Sequence, residues 1–156
     1  MQWLRRGKEE DPTEFWRQTA ARRGGEIGFF TFATLLGKSG GTVLNFPGLL
    51  YTVGGVIWFE DFERDNWLSR ILSSRQKYEK TEVSFSLSEV KLTRIVSRVA
   101  AARCIGGVIA PEDLAPASFF TRVFSTPVAQ IGLHDGTSIF LEVMQRKELF
   151  ALLAQK

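Results

Sequence analysis

Most of the chain between residues 26 and 144 consists of short apolar runs separated by glycine, proline and small polar residues. Several runs alternate apolar with polar positions and are rich in β-branched and aromatic side chains, which is typical of strands with one buried face. We therefore predict a mainly β domain. The predicted strands cover residues 27–36, 42–46, 49–53, 55–62, 81–87, 90–99, 118–124, 128–133 and 137–144.

The last two predicted strands form the clearest local unit. Asp135–Gly136 lies between two apolar runs, and this dipeptide favours a hairpin with a type I′ turn. After the hairpin, residues 145–156 place Leu149, Leu152 and Leu153 on one face of a short helix. The C-terminal part of the chain thus predicts a strand, a tight turn, a strand and an amphipathic helix.

A second helix is predicted near the N-terminus, over residues 11–23. Asp11 fits its N-cap and Pro12 its first position, while Arg22 and Arg23 suit the negative end of the helix dipole. The apolar side of this helix is narrow, so it must dock on the β domain or on a partner. We favour docking on the domain.

The segment of residues 88–103 fits either structure. As a helix it would place Leu92, Ile95, Val96 and Val99 in one stripe. Three of these four side chains are β-branched, which favours a strand. We predict a strand.

Two stretches resemble pleckstrin-homology-like domains of the bacterial or GRAM-related kind. In 128-VAQIGLHDGTSIFLEVMQRKELFALL-153 a hairpin leads directly into a helix, and in 81-TEVSFSLSEVKLTRI-95 a small polar turn precedes a strand that begins at Val90. The resemblance implies an antiparallel barrel or sandwich with a C-terminal capping helix, over residues 26–156. Residues 1–25 would add an extra N-terminal helix. It also implies a binding or scaffolding module and no enzyme activity, since this family carries no catalytic signature.

Composition excludes several kinds of chemistry. The 156 residues contain one cysteine, Cys104, and one histidine, His134, so an intramolecular disulfide or a zinc site of Cys and His ligands cannot form. His134 is the only histidine available as a base, and its place beside the predicted turn puts it at an exposed tip. We expect no cofactor and no metal, and the single thiol is consistent with a cytoplasmic protein.

A long uncharged stretch raises the question of a membrane span. Residues 39–59 carry no charge and are long enough to cross a bilayer as a helix. They also contain Asn45, Pro47 and five glycines, which favour paired strands with turns. A transmembrane helix is the less favoured alternative.

Four cations without an intervening acid form the best candidate binding site. Lys91, Arg94, Arg98 and Arg103 lie within 13 positions, and arginines on one strand face could hold a carboxylate or phosphate. We predict that they bind a protein partner or an anionic lipid headgroup, and the second ligand would make the protein membrane-peripheral. The net charge of +3 is too small to predict nucleic-acid binding.

Two other functions are alternatives. The spacing of Arg94 and Arg98 resembles half of the motif by which PilZ domains bind cyclic dinucleotides, so a nucleotide receptor is one alternative. A hydrolase that uses carboxylates is the other. Its candidates follow a strand, and we interpret them instead as an exposed strand end entering a turn. These candidates are Glu60, Asp61, Glu63 and Asp65.

Overall fold

The computed structural model describes residues 12–61 and 81–155. One seven-stranded antiparallel sheet carries the fold, with helices packed around it. The mainly β class with a helix at each end is therefore confirmed. The helices are α1 (Pro12–Arg23), α2 (Arg98–Ile105), α3 (Phe119–Phe124) and α4 (Arg146–Leu153). The strands are β1 (Ile27–Lys38), β2 (Phe46–Val53), β3 (Val56–Asp61), β4 (Glu82–Ser86), β5 (Val90–Val96), β6 (Val128–Leu133) and β7 (Ser138–Val143).

The strand order is β4-β3-β2-β1-β7-β6-β5, so β1 joins two halves of the sheet. Residues 27–35 of β1 pair with β2, and residues 33–38 pair with β7. A shift of register between Leu35 and Gly37 accompanies this change of partner, because a bulge bends a strand and lets it serve two directions. β1 is therefore the shared spine of the sheet.

The two edge strands follow each other in the chain. β4 and β5 lie at opposite ends of the strand order, yet only the 3₁₀ turn Leu87–Glu89 separates them. So short a link brings the two edges together at one end, which requires a strongly curved sheet. No β4–β5 pairing occurs within the described residues, and the sheet is not closed. The barrel form of the prediction is wrong in this respect.

The main core lies on the inner face of the curved sheet. It receives side chains from every strand, including Leu35, Leu50, Phe59 and Ile131, all at most 1% exposed. Helix α4 covers one end of this core with Leu149 and Leu153, as the leucine spacing predicted.

A second core lies on the outer face of β5, β6 and β7. Helix α2 and the segment after it cover Val128 and Phe140 with Ala101, Ile105 and Leu114. Neighbouring residues of β6 alternate between the two cores, so both faces of this strand are buried. This explains why β6 reads as a nearly continuous apolar run.

Three predicted strands differ from the structure. Residues 42–45 form a loop, with β2 beginning only at Phe46. The predicted strand 90–99 ends at Val96, and Ser97 then caps α2 by accepting a hydrogen bond from the Ala100 amide at 3.1 Å. Residues 118–124, predicted as a strand, form α3 after the N-cap Ser118.

The C-terminal hairpin is confirmed, but its predicted turn type is wrong. The Gly136 amide donates to the Leu133 carbonyl at 3.1 Å, and Gly136 has φ of 89°. Asp135 does not have positive φ, as a type I′ turn requires. The hairpin loop therefore has three residues, His134, Asp135 and Gly136, and the last of them is a glycine with positive φ.

The uncharged stretch 39–59 forms a loop, β2 and most of β3. Across residues 12–61 and 81–155, no helix has the length and apolar character needed to cross a membrane.

Candidate functional site

Arg94 of the predicted basic set is half-buried. Its Nε donates to Gln130 Oε1 and its Nη2 donates to the carbonyl oxygen of Pro111, each at 2.7 Å. Gln130 is fully buried and also donates to Ser138 Oγ at 3.0 Å. Arg94 therefore fixes the segment after α2 against the outer face of the sheet, with two of its donor groups already used.

Arg98 lies on α2 and has a different surrounding. It pairs with Glu142 at 3.0 Å and donates to Asn45 Oδ1 at 3.3 Å. Asn45 has φ of 115°, an unusual value for a residue with a side chain. Arg98 thus links α2, the loop before β2 and β7.

The predicted basic set is dispersed over two elements. Lys91 is exposed on β5, whereas Arg103 is exposed on α2. The prediction that Arg94 and Arg98 share one strand face is wrong, because the chain changes from strand to helix at Ser97. Their role in ligand binding stays a prediction, without the bidentate pair on which it was based.

Two residues of the acidic cluster are buried and do not form a solvated strand end. Glu60 is 3% exposed and Asp61 is 6% exposed, so that interpretation is wrong for both residues. Glu63 and Asp65 lie outside the described residues. Glu60 Oε1 accepts hydrogen bonds from Arg22 at 2.7 Å, from Tyr51 Oη at 2.6 Å and from Arg23.

Arg23 is the centre of this buried cluster. Glu60 and Glu82 face each other across β3 and β4, and Arg23 pairs with both, at 2.9 Å from Glu82. Its guanidinium lies 3.7 Å from the centre of the Trp58 ring, and its Nε donates to Tyr51 Oη at 3.0 Å. Burial opposes its charge, but the bonds to Glu82, Tyr51 and Glu60 outweigh burial and hold the pKa of Arg23 above its ordinary value.

Aromatic contacts hold the other end of α1. The Trp16 ring lies 4.6 Å from Phe30 and 5.8 Å from Tyr51, measured between centroids. Together with Arg22 and Arg23, these contacts place α1 on the outer face of β1, β2 and β3. The helix therefore docks on the sheet. The division of the chain at residue 25 stays a prediction.

Helix α3 presents apolar side chains to solvent. Phe119, Phe120 and Phe124 are 72%, 70% and 78% exposed, and Val123 is 55% exposed. The Phe120 ring stacks on Phe124 with centroids 6.3 Å apart, so the side chains pack against each other. We call these four residues the aromatic surface.

A groove of about 320 Å³ lies on the outer face of β1. Thr126 and Pro127, which follow α3 after Ser125, form one wall and bring the groove close in sequence to the aromatic surface. Met144 is 75% exposed at another wall. We call this depression the β1 groove, and the residues used below are Phe32, Pro47, Pro127, Glu142, Met144 and Arg146.

The remaining candidate side chains lie apart from these surfaces. His134 is exposed at the hairpin tip, as predicted. Cys104 is buried in the second core, and burial, followed by the carboxylate of Glu112, raises the pKa of its thiol. In the part of the chain that the structure describes, no three His, Cys, Asp or Glu side chains are placed to hold a metal ion.

Sequence signals for the aromatic surface were present but went unused. Phe119, Phe120, Val123 and Phe124 recur at helical spacing behind a serine that fits an N-cap. Phe119 and Val123, like Phe120 and Phe124, are four positions apart and lie on one face of the helix. The spacing therefore predicts a helix with an apolar face, and only the structure shows that this face is exposed.

Comparison with known proteins shows a fold and no function. No family model matches the chain, and no curated protein matches it. The structure is similar to the crystal structure of the C-terminal domain of an unknown protein from Leishmania infantum, with a TM-score of 0.51 and 14% identity. The match covers 93% of this chain and 97% of that domain. At this identity the likeness concerns the arrangement of the chain.

Proposed function

We propose that this protein is a non-enzymatic binding module that recognises a protein partner through the aromatic surface and the β1 groove. The observation that carries the proposal is the exposure of three phenylalanines on one short helix. Folded proteins rarely leave large rings together in water, because each ring offers roughly 150–250 Å² of apolar area.

The size of the combined surface agrees with a protein interface. At the observed exposures, the aromatic surface amounts to roughly 500 Å², near the upper end of what a free monomer presents. Adding Phe32 and Met144, which are 52% and 75% exposed, brings the total towards the ~800 Å² that one partner contributes to a stable complex. Neither part reaches this size alone, so we propose that one partner covers both.

The composition of the surface supports the same proposal. The centre of a protein interface is enriched in aromatic residues, methionine and arginine, and depleted in lysine and acids. The aromatic surface and the β1 groove combine phenylalanine, Met144, Arg122 and Arg146. Exposed rings of this kind are the usual anchors of binding energy.

We further propose that the fold is pleckstrin-homology-like. Support comes from the order of elements: an antiparallel meander of four strands, a second meander of three, and a C-terminal helix that covers the core between them. A module of this kind supplies a rigid frame for a binding surface and needs no catalytic group. That agrees with the proposal of a binding function.

An anionic membrane is the second candidate ligand. Arg122 on α3 is the one charged residue from position 114 to position 134, so no acid in this stretch opposes a negative surface. Phenylalanines beside an arginine also suit insertion at a membrane interface. The β1 groove favours a protein, since a flat lipid surface would leave it unfilled.

The test compares two double variants of the intact chain. Phe120→Ser/Phe124→Ser alters the aromatic surface, while Val99→Ser/Val108→Ser alters two valines that are 71% and 68% exposed on α2 and in the following turn. Proteins retained from the cell of origin by the native chain are identified, purified and titrated against each variant by calorimetry. We expect the aromatic variant to lose at least tenfold in affinity and the valine variant to bind normally.

Equal binding by the aromatic variant would overturn the proposal. In a second assay, the native chain and the two double variants are each mixed with vesicles of phosphatidylcholine with 30 mol% phosphatidylserine, and flotation is measured. If the native chain floats with the vesicles, the aromatic variant does not, and no protein binds the native chain directly, the aromatic surface would be assigned to a membrane instead.

A further inference from the structure

We propose that the β1 groove receives a large apolar side chain of the partner and that Arg146 pairs with an acidic group beside it. This inference rests on the proposed function and specifies the chemistry of the partner. It concerns a part of the surface that is separate from α3, so each can be tested without the other.

The shape of the groove agrees with a single side chain. Its volume of about 320 Å³ is at the lower end of the range for pockets that hold small ligands. Phe32 and Pro47, from neighbouring strands, and Pro127 and Met144 give it a largely apolar lining. An aromatic or branched aliphatic group would be buried here on several sides.

The charges at the groove indicate which chemical group of the partner would lie beside the apolar side chain. Glu142 lines the groove but already pairs with Arg98 at 3.0 Å. Arg146 is half-buried at the start of α4, and its side chain forms no hydrogen bond or ion pair with residues 12–61 and 81–155. Lys147, which follows it, is exposed. The uncompensated charge is therefore positive, and a carboxylate complements it better than a neutral or basic group.

A small probe tests this chemistry before any partner is known. N-acetyl-phenylalanine carries an aromatic ring and a carboxylate, and N-acetyl-phenylalaninamide has the same ring without the charge. Both are titrated into the ¹⁵N-labelled full chain, and amide shifts are followed in Phe32, Met144 and Arg146. We expect millimolar binding of the acid and binding of the amide that is roughly three- to fivefold weaker.

Three variants separate the contributions. Arg146→Gln should bring the acid down to the affinity of the amide, whereas Lys147→Gln, one position further, should retain most of the difference. Met144→Ser should weaken both probes alike because it removes apolar lining. Raising the salt concentration should reduce binding of the acid more than binding of the amide.

The proposal is overturned if the two probes bind equally to the native chain, or if their shifts map away from the β1 groove. Phe120→Ser/Phe124→Ser, which alters the aromatic surface alone, should leave probe binding unchanged. Loss of the protein partner in that variant, together with normal probe binding, would support both proposals. Normal partner binding by the aromatic variant would refute the proposed function and leave the groove chemistry standing.

Discussion

Replacing Arg23 with methionine should destabilise the protein far more than the same change at its neighbour Arg22. Both arginines donate to Glu60, so the two substitutions remove the same kind of bond from the same carboxylate. They differ in burial, because the side chain of Arg23 is 11% exposed and that of Arg22 is 52% exposed. Arg23 also bonds to Glu82 and Tyr51, so the comparison is between a buried arginine at the centre of the cluster and an exposed arginine at its edge.

The expected magnitude follows from what each change leaves behind. Removing one partner of a buried pair costs about 3–5 kcal/mol, and Glu60 retains bonds from Arg22 and Tyr51, so we expect about 3 kcal/mol for Arg23→Met. The lost contact with Trp58 is included in that figure. Arg22→Met should cost less than about 1 kcal/mol, as exposed pairs do.

The assay is urea unfolding followed by far-ultraviolet circular dichroism, with thermal unfolding as a second measurement. In a chain of this length, ~3 kcal/mol corresponds to a fall in melting temperature of roughly 6–12 °C. Arg23→Met/Glu60→Met completes a double-mutant cycle, and we expect a coupling free energy of about 2 kcal/mol.

Equal costs for Arg22→Met and Arg23→Met would refute this reasoning, since burial would then have no effect. A coupling free energy near zero would show that Arg23 stabilises the protein through its other contacts, with Glu82, Tyr51 and Trp58.

Three further predictions concern single residues. Burial and the bond to Glu60 raise the pKa of Tyr51, so the contribution of this raised pKa to stability should be complete below pH 10 and decline as pH rises through the folded pKa. Absorbance at 295 nm should show one phenol that titrates late. Tyr51→Phe should remove this late titration and leave that of Tyr78. Gly48→Ala should lower the free energy of unfolding in urea by about 3 kcal/mol, because the new Cβ would overlap the Glu60 carbonyl oxygen and lie 2.8 Å from Asp61 Cα. In Gly132→Ala the new Cβ would lie 3.2 Å from the Leu92 side chain, so this change should cost less than half as much. The Cys104 thiol should react with a disulfide reagent at least a hundredfold faster in denaturant than in buffer, because in the folded protein it is 1% exposed and its pKa is raised. Similar rates in the two solvents would contradict its place in the second core.

The strands that sequence reasoning predicted correctly are those whose pattern reflects one local environment. β4 and β7 lie within predicted runs, and their burial alternates or is continuous as the apolar content indicates. Helix α1 was predicted from its first proline and its last arginines, and those signals depend on the helix alone.

Errors arose where a second element determined the outcome. Glu60 and Asp61 read as exposed because acidic runs usually face water, and only the docking of α1 supplies Arg22 and Arg23 to Glu60. The basic set read as one surface because the change from strand to helix at Ser97 was missed. The serine and the following alanines were visible in the sequence, but β-branching over residues 93–99 outweighed them in the interpretation.

The role of β1 as shared spine has a consequence for synthesis of the chain. The first half of β1 can pair with β2 as soon as the next few residues have been made, but Lys38 pairs with Ile139, which lies about a hundred positions later in the chain. While the ribosome makes the intervening residues, that half of β1 offers unpaired backbone groups to any neighbouring strand. A nascent chain released just before β7 would contain β1 to β6 but lack the strand that joins β1–β4 to β5 and β6. Stop codons ahead of residue 138 should therefore yield aggregates, and quality-control factors that cover free strand edges should act on this protein late in its translation.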